Sequence, residues 1–170
     1  PEGPIMSKLP GEVSTMAEVF RMNGYQTYAV ASNVNLSGER GFDRGFERFE
    51  VSVKANADAL RDTMAEWTRE RRTDRPAFWY LHLNDVHKPY MKRAPWYKKE
   101  HMADADAIAR YTREISYLDN ILATMGSSLG WDDDTIVVVL ADHGEEFRDH
   151  GGAGHRVKLY GELMNVPMMI

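Results

Sequence analysis

Two groups of polar side chains directly follow apolar runs of the chain, and their types could bind a metal ion. The first group, Asn84, Asp85 and His87, comes after a run that ends at Leu83, and the second, Asp142 and His143, comes after a run that ends at Leu140. A neighbouring carboxylate and imidazole offer one oxygen and one nitrogen ligand, a mixed set that calcium, manganese and magnesium as well as zinc can accept. Asp142 and His143 are therefore candidate ligands of a divalent cation, although two ligands do not complete a site.

A glycine-rich loop further along the chain adds two more imidazoles. Its order is His150, Gly151, Gly152, Gly154, His155. Because glycines make such a loop flexible, its histidines can fold back over a cavity beside Asp142 and His143. A zinc site formed by His143, His150 and His155 is an alternative on ligand type, but the spacing matches no compact zinc motif and the chain has no cysteine.

Structural roles also explain these residues when each is taken alone. Asp142 could cap a helix that begins near Glu145, with Gly144 relieving backbone strain. His87 could be an exposed loop imidazole beside Pro89. The residue types by themselves therefore leave both the structural and the metal-binding interpretation open.

The helices that must position these residues are predicted from apolar stripes at three- and four-residue spacing. The first begins at Thr15, whose spacing to Glu18 is that of a capping box, and it ends at Asn23-Gly24. Its apolar face is expected to carry Met16, Val19 and Phe20. The second helix covers about residues 56–71, and the third covers about residues 104–129.

Strands are predicted at residues 25–31, 78–83 and 135–140, which are short apolar runs bounded by turn residues. Residues 35–49 are predicted to be a loop packed by Phe42, Phe46 and Phe49. Alternating helices and strands predict an α/β fold with a mostly parallel sheet flanked by helices. Ligands bind beyond the carboxyl ends of such strands, so we expect the polar residues that follow 83 and 140 to face each other.

Composition excludes several classes of protein. The 170 residues carry a net charge of −5 and no dense basic stretch, so a nucleic-acid partner is not expected. Apolar runs are too short for a membrane-spanning helix. The absence of cysteine excludes disulfides and thiolate nucleophiles, but it leaves the compartment open between exported and cytoplasmic.

Taken in order, several stretches resemble the sulfatase family of the alkaline-phosphatase-like superfamily. Residues 78–90 resemble the family's aromatic strand followed by Asp-x-His-x-Pro-Tyr, and residues 111–119 resemble its Tyr-x-x-Glu-x-x-Tyr-x-Asp helix. Further matching stretches are residues 9–18, 24–27, 41–46, 135–145, 150–151, 154–155, 159–160 and 166–167. Each piece is short, but together they cover nearly the whole chain in the family's order.

The resemblance implies a role for each candidate residue. In this family a divalent cation, usually calcium and sometimes manganese or magnesium, holds a sulfate or phosphate oxygen beside a formylglycine nucleophile. Asp142 and His143 would be two of the cation ligands. His87 would bind the anionic group or protonate the leaving oxygen. His155 stands where relatives often have lysine, and Lys158 is a second candidate for that charge.

Two departures from the family pattern limit what the resemblance implies. Many arylsulfatases have Gly-Lys-Trp-His where this chain has Ser32-Asn33-Val34-Asn35, which keeps a phosphonate or phosphate ester substrate open. The chain also has no cysteine and no Ser-x-Pro-x-Arg or Ser-x-Ala-x-Arg motif from which formylglycine could be made. We therefore expect residues 1–170 to be a partial catalytic domain, an internal fragment of a longer hydrolase that is inactive by itself.

The sequence as a whole predicts a metal-dependent hydrolase of sulfate esters, with calcium as the expected cation. A phosphonate or phosphate ester hydrolase, or a phosphotransferase, of the same superfamily is one alternative. A non-catalytic binding domain is another. The expected partner is a small-molecule or carbohydrate sulfate ester, while the substrate's identity and the oligomeric state are left open.

Overall fold

The residues described by the computed structural model are 8–92, 95, 103–155 and 158–170. The chain divides into two units at His87 and Lys88. The first unit contains a three-stranded parallel sheet with two helices. The second contains the longest helix and two short antiparallel strand pairs.

The sheet of the first unit is parallel throughout. It consists of β1 at Gln26–Ala31, β2 at Arg48–Val51 and β3 at Ala77–His82, in the order β2-β1-β3. Tyr28 of the central strand is paired with Trp79 of β3. Every residue of β1 is buried, as expected for a strand with neighbours on both edges and helices over both faces. This arrangement confirms the predicted α/β fold with a parallel sheet.

Helix α1, Met16–Met22, covers one face of the sheet. Its Phe20 ring stacks on Phe78 of β3, with ring centroids 4.3 Å apart. The predicted capping box is confirmed, because the Thr15 hydroxyl accepts the N–H of Glu18 and the Glu18 carboxylate accepts the N–H of Thr15. The two side chains thus satisfy backbone donors at the start of the helix.

Helix α2, Ala57–Glu70, covers the opposite face. Trp79 follows Phe78 in β3, and successive residues of a strand point to opposite faces of the sheet. The Trp79 ring stacks on Tyr28 at 4.4 Å, and Tyr28 lies 6.2 Å from the Trp67 ring of α2. The parallel sheet is therefore flanked by helices on both sides, as predicted.

The buried face of α1 differs from the prediction. Met16 and Val19 are 66% and 46% exposed, whereas Ala17 is buried. A Cβ atom at Gly45 would lie only 2.6 Å from the carbonyl carbon of Ala17, so the backbone at Gly45 packs directly against this part of the helix. Ala17 is therefore buried where the Gly45 backbone packs against the helix, a contact that the spacing of apolar residues does not predict.

The predicted loop at residues 35–49 contains the start of a strand. β2 begins at Arg48 and forms the edge of the sheet beside β1. Phe46 and Phe49 do pack together, with ring centroids 5.8 Å apart, but Phe42 is 38% exposed. The residues of β2, Arg48-Phe49-Glu50-Val51, do alternate polar and apolar, but four residues that directly follow a glycine-containing loop are a short signal.

The second unit is built around α3, Ala103–Leu129, which confirms the longest predicted helix. Its buried apolar residues are Tyr117, Ile121, Met125 and Leu129. Glu114 on the same helix is fully buried and accepts the N–H of Met91 at 2.7 Å, a contact that the apolar stripe did not predict. No helix among the described residues has the length and apolar character needed to cross a membrane.

The predicted strand at residues 135–140 is mostly wrong. Only β4, Val139–Leu140, is a strand, and it pairs antiparallel with β7, Met168–Met169. Ile136 is 82% exposed. Apolar β-branched residues favour a strand, but a strand forms only where a neighbouring strand supplies hydrogen-bonding groups. Within the described residues, β7 is the neighbour of β4 and pairs only with Val139 and Leu140.

The predicted glycine-rich loop forms a short hairpin. β5, Glu146–Phe147, pairs antiparallel with β6, Ala153–Gly154. The Glu146 carboxylate accepts the backbone N–H groups of His150 and Gly152 at 3.2 and 2.7 Å. A buried acid therefore orders the turn that the glycines permit.

Candidate active site

The five predicted site residues belong to both units. His87 is the last residue of the first unit, and its exposed side chain lies in a turn in which its N–H donates to the carbonyl oxygen of Asn84. The second unit contains the other four, Asp142, His143, His155 and Lys158. The predicted role of His87 at the ester stays a prediction.

A close backbone approach at Gly144 holds the segment after β4 in place. The Gly144 N–H donates to the carbonyl oxygen of Leu163 at 2.8 Å, in the short helix α4, Gly161–Met164. A Cβ atom at Gly144 would lie 2.0 Å from the carbonyl oxygen of Glu162, so no other residue fits there without a backbone shift. Gly144 thereby fixes the position of the adjacent His143.

The ring of His143 is held in a defined tautomer. Its Nδ1 lies 2.8 Å from the carbonyl oxygen of Gly144. Because a carbonyl oxygen can only accept, Nδ1 carries the proton, and in the neutral ring the lone pair is on Nε2. That lone pair is the one a metal ion needs.

The carboxylate of Asp142 lies beside this lone pair. Asp142 Oδ1 is 3.6 Å from His143 Nε2, and the Asp142 side chain is 79% exposed. Two ligand atoms bound at right angles to one cation, at metal–ligand distances of 2.0 to 2.6 Å, are about 3 to 3.7 Å apart. An oxygen and a nitrogen at this distance can bind one divalent cation, and that role for Asp142 and His143 stays a prediction.

The His155 ring lies directly on His143. The two ring centroids are 4.0 Å apart with an interplanar angle of 24°. His155 Nδ1 lies 3.3 Å from Oε1 of Glu145, to which it donates a hydrogen bond. The structure thus brings together three of the predicted residues, Asp142, His143 and His155.

The Glu145 carboxylate is buried behind this pair of histidines. Its Oε2 accepts the hydroxyl of Tyr90, and Lys88 Nζ lies 3.9 Å from its Oε1. The Tyr90 ring contacts Tyr111 and Phe147, with centroids 5.5 and 5.9 Å away. Burial, reinforced by the hydrogen bond to Glu145, raises the pKa of Tyr90 far above its ordinary value. Tyr90 therefore remains a hydrogen-bond donor to the carboxylate.

The alternative in which Asp142 caps a helix that begins near Glu145 is wrong. The residues that follow Glu145 form the strand β5, Glu146–Phe147. Asp142 Oδ1 instead accepts the N–H of His143, its own neighbour in sequence, at 3.0 Å. The carboxylate therefore stays on the same exposed surface as the His143 ring.

Lys158 is attached to the glycine-rich hairpin. Its Nζ donates to the carbonyl oxygen of His150 at 2.7 Å and to Glu146 Oε1 at 3.3 Å. Burial opposes the ionisation of Glu146, but hydrogen bonds from the Gly152 N–H, from Lys158 and from the His150 N–H outweigh it and lower the pKa of this carboxyl. Lys158 therefore balances a buried carboxylate, and its predicted contact with substrate stays a prediction.

A second group of possible metal ligands lies within this hairpin and the helix beside it. Single ligand atoms of Glu146, His150 and Glu162 lie within 4.8 Å of one another. His150 Nδ1 donates to Glu162 Oε1 at 2.7 Å, so hydrogen bonds account for the grouping. In the part of the chain that the structure describes, no such group unites His150 with His143 and His155, as the zinc alternative requires.

Glu145 and Tyr90 belong to this site, although no pattern in the sequence alone marks them as its members. Both lie outside helices, so no periodicity marks them as buried or as partners. The available signals were the position of Glu145 two residues after His143 and that of Tyr90 at the end of the Asp-x-His-x-Pro-Tyr stretch.

Comparisons with known proteins agree with the fold. A family model described as Sulfatase matches residues 1–170. The phosphonate monoester hydrolase of Agrobacterium radiobacter has a TM-score of 0.75 and 15% identity, over 96% of this chain and 53% of that chain. The lipoteichoic acid synthase LtaP from Listeria monocytogenes has a TM-score of 0.70 and 15% identity, over 92% and 45%. A 2-O GAG sulfatase has a TM-score of 0.61 and 18% identity, over 99% and 48%.

These comparisons show that the chain has the same fold as about half of each solved structure. The chain spans 53%, 45% and 48% of the three proteins, so roughly half of their length has no counterpart in these 170 residues. No curated protein sequence matches the chain significantly. At 15 to 18% identity the structural likeness concerns the arrangement of helices and strands.

Proposed function

The chain belongs to the sulfatase family, and on that premise we propose that it is part of a cation-dependent hydrolase of sulfate esters. One observation carries the proposal. Asp142 and His143 present an oxygen and a nitrogen 3.6 Å apart, and the His155 ring stacks on His143 at 4.0 Å. A cation site beside a further imidazole is an arrangement suited to binding and cleaving an anionic ester.

Asp142 and His143 would hold the cation. Calcium, with manganese and magnesium as alternatives, is the cation that the family resemblance implies, and the Asp142 carboxylate would supply an oxygen ligand of the kind these ions prefer. When bound, the cation polarises the ester oxygen that it contacts and offsets negative charge. The tautomer of His143, with its proton on Nδ1 and donated to Gly144, supports this role because it leaves Nε2 able to coordinate.

The remaining predicted residues would act on the ester group. His155 would donate a hydrogen bond to a sulfonyl oxygen or to the leaving oxygen, at the position where relatives often have lysine. His87 would bind the anionic group or protonate the leaving oxygen. Lys158 would add positive charge near the hairpin, where its Nζ is 3.3 Å from Glu146.

The nucleophile is proposed to lie outside these residues. The chain contains no cysteine, and none of its serines starts a Ser-x-Pro-x-Arg or Ser-x-Ala-x-Arg motif. Residues 1–170 would then form one part of a single catalytic domain, whose formylglycine is supplied by another part of a longer chain. The half-length coverage of the solved structures supports this interpretation.

A small-molecule or carbohydrate sulfate ester is the proposed substrate, and a phosphonate or phosphate ester is the second candidate. The likeness to a 2-O GAG sulfatase supports the first. The second is supported by the likeness to a phosphonate monoester hydrolase and by Ser32-Asn33-Val34-Asn35, which lacks the lysine found there in many arylsulfatases. LtaP, a synthase by its name, keeps a phosphotransferase among the alternatives.

An activity assay on the full-length protein tests the proposal. With calcium or manganese present, hydrolysis of p-nitrophenyl sulfate should exceed that of p-nitrophenyl phenylphosphonate. Asp142→Ala should abolish turnover, whereas the matched control Asp133→Asn, an exposed carboxylate elsewhere in the second unit, should retain it. Preference for the phosphonate would favour the second candidate. No hydrolysis of either ester and no cation binding would favour a non-catalytic binding domain.

A further inference from the structure

We infer that Glu145 is a positioning residue for His155 and that Tyr90 holds the Glu145 carboxylate in place. The inference rests on the proposed function, because that function assigns His155 to the ester. It adds two residues that the family resemblance did not assign to the reaction.

Glu145 is a buried acid whose oxygens face different partners. The residue is 9% exposed. Its Oε2 accepts the Tyr90 hydroxyl, and its Oε1 accepts His155 Nδ1–H at 3.3 Å. A carboxylate in such a position needs hydrogen-bond donors to offset its loss of hydration, and these two side chains supply them. Lys88, 3.9 Å from Oε1, adds a positive charge.

The contacts of His155 restrict its ring in two ways. Stacking on His143 at 4.0 Å, with 24° between the rings, sets the plane of the imidazole. The hydrogen bond to Glu145 sets the rotation of the ring within that plane and keeps a proton on Nδ1. When the ring carries a second proton, Nε2–H is the group that can donate to an ester oxygen, while Nδ1–H stays on Glu145. An imidazole held in this way needs no reorientation when a substrate binds.

Tyr90 is well placed to fix the carboxylate. It is 4% exposed, and its ring packs edge-on against Tyr111. Its backbone is also held, because its carbonyl oxygen accepts from Arg110 at 3.3 Å and the N–H of the next residue, Met91, donates to buried Glu114 at 2.7 Å. The Tyr90 hydroxyl can therefore move little, and neither can the carboxylate that accepts from it.

The tautomer of His155 can be measured without activity. Nitrogen-15 NMR of the imidazoles, at a pH at which the rings are neutral, should show the proton of His155 on Nδ1. In Glu145→Gln the amide can turn either its oxygen or its nitrogen to His155, because the Tyr90 hydroxyl can accept as well as donate. The carboxylate that holds the proton on Nδ1 is then gone, and the neutral His155 ring should show both tautomers.

A second glutamate–histidine pair in the same unit provides a matched control. Glu162 accepts from His150 Nδ1 at 2.7 Å, so Glu162→Gln should change the His150 signals and leave those of His155 as in the wild type. Unchanged His155 signals in Glu145→Gln would overturn the inference. If that variant does not fold, Glu145→Asp, whose carboxylate is one methylene shorter, should also give both His155 tautomers, and a wild-type His155 spectrum in Glu145→Asp would overturn the inference.

Kinetics of the full-length protein separate this inference from the proposed function. Glu145→Gln should lower kcat by about 10- to 100-fold, as loss of a group that orients an active histidine does, with KM changed by less than about 2-fold. An equal fall in activity in Glu162→Gln would point to a general structural loss and contradict a specific role for Glu145. A wild-type protein that cleaves neither ester would defeat the proposed function, while the tautomer measurement would still decide whether Glu145 orients His155.

Discussion

At the scale of single residues, the candidate site depends on one glycine. Gly144 lies beside His143, and its N–H donates to α4 at Leu163. Gly144→Ala would add a Cβ atom 2.0 Å from the carbonyl oxygen of Glu162, which is backbone and cannot move away cheaply. We expect this variant to lower the free energy of unfolding by about 1–3 kcal/mol, measured by urea denaturation.

Gly126 is the control for Gly144. It lies within α3, where an added Cβ would make an ordinary contact 3.5 Å from the Trp131 ring. Gly126→Ala should therefore leave stability unchanged or raise it by about 0.5–1 kcal/mol, because alanine is the better helix former. Equal stability of the two variants would contradict the close packing at Gly144.

Glu146 makes stability depend on acid pH. Its pKa lies below the ordinary value of 4.5 because hydrogen bonds from the Gly152 N–H and Lys158 outweigh the effect of burial. A carboxyl with a lowered folded-state pKa stabilises the fold above its unfolded pKa, and this stability is lost as pH falls through the folded pKa. Unfolding measured between about pH 6 and about pH 3 should show a steeper loss in the wild type than in Glu146→Gln. Parallel pH profiles would contradict this assignment.

At the scale of elements, the start of α1 gives a direct test of local sequence signals. Thr15→Ala removes the hydroxyl that accepts the Glu18 N–H, and it should cost about 1 kcal/mol of unfolding free energy. Thr63→Ala is the control, because the Thr63 hydroxyl makes only a solvent-exposed hydrogen bond to the carbonyl oxygen of Ala59 within α2. It should change stability by less than about 0.5 kcal/mol. A Thr15→Ala variant as stable as the control would argue against the capping box.

Elements with strong local signals were predicted from the sequence, and those that depend on a neighbour were not. The bounds of α2 match the prediction closely because Asn56 caps it and its apolar stripe is regular. β1 was recognised because all of its residues are apolar, small or able to hydrogen-bond inside a sheet. In contrast, residues 135–140 have a strand-like composition, but pairing, which no single segment encodes, limits β4 to Val139–Leu140.

The candidate site was likewise only partly predictable. Asp142 and His143 are neighbours in sequence, so their proximity required only a turn, and the glycine-rich loop brought His155 onto His143 as anticipated. Glu145 and Tyr90 meet through tertiary packing across 55 positions of the chain, and no periodicity marks such a contact. Buried polar networks of this kind become visible only once the packing is known.

At the scale of the whole molecule, the 170-residue chain by itself should have no turnover. It contains no residue from which the family's nucleophile is made, since it lacks cysteine and the serine motifs. Incubation of the isolated chain with calcium and p-nitrophenyl sulfate should release no p-nitrophenol above the rate of buffer alone. Clear turnover that Asp142→Ala abolishes would refute the proposal that the nucleophile lies outside these residues.

We propose that Asp142 and His143 hold the cation, and manganese titration followed by NMR is a direct test of this role. Bound manganese broadens nearby signals even when binding is weak, as expected for two protein ligands. We expect the signals of Asp142 and His143 to broaden first, Asp142→Asn to remove the effect, and Asp133→Asn to leave it unchanged. Broadening centred on Glu146, His150 and Glu162, unaffected by Asp142→Asn, would contradict it.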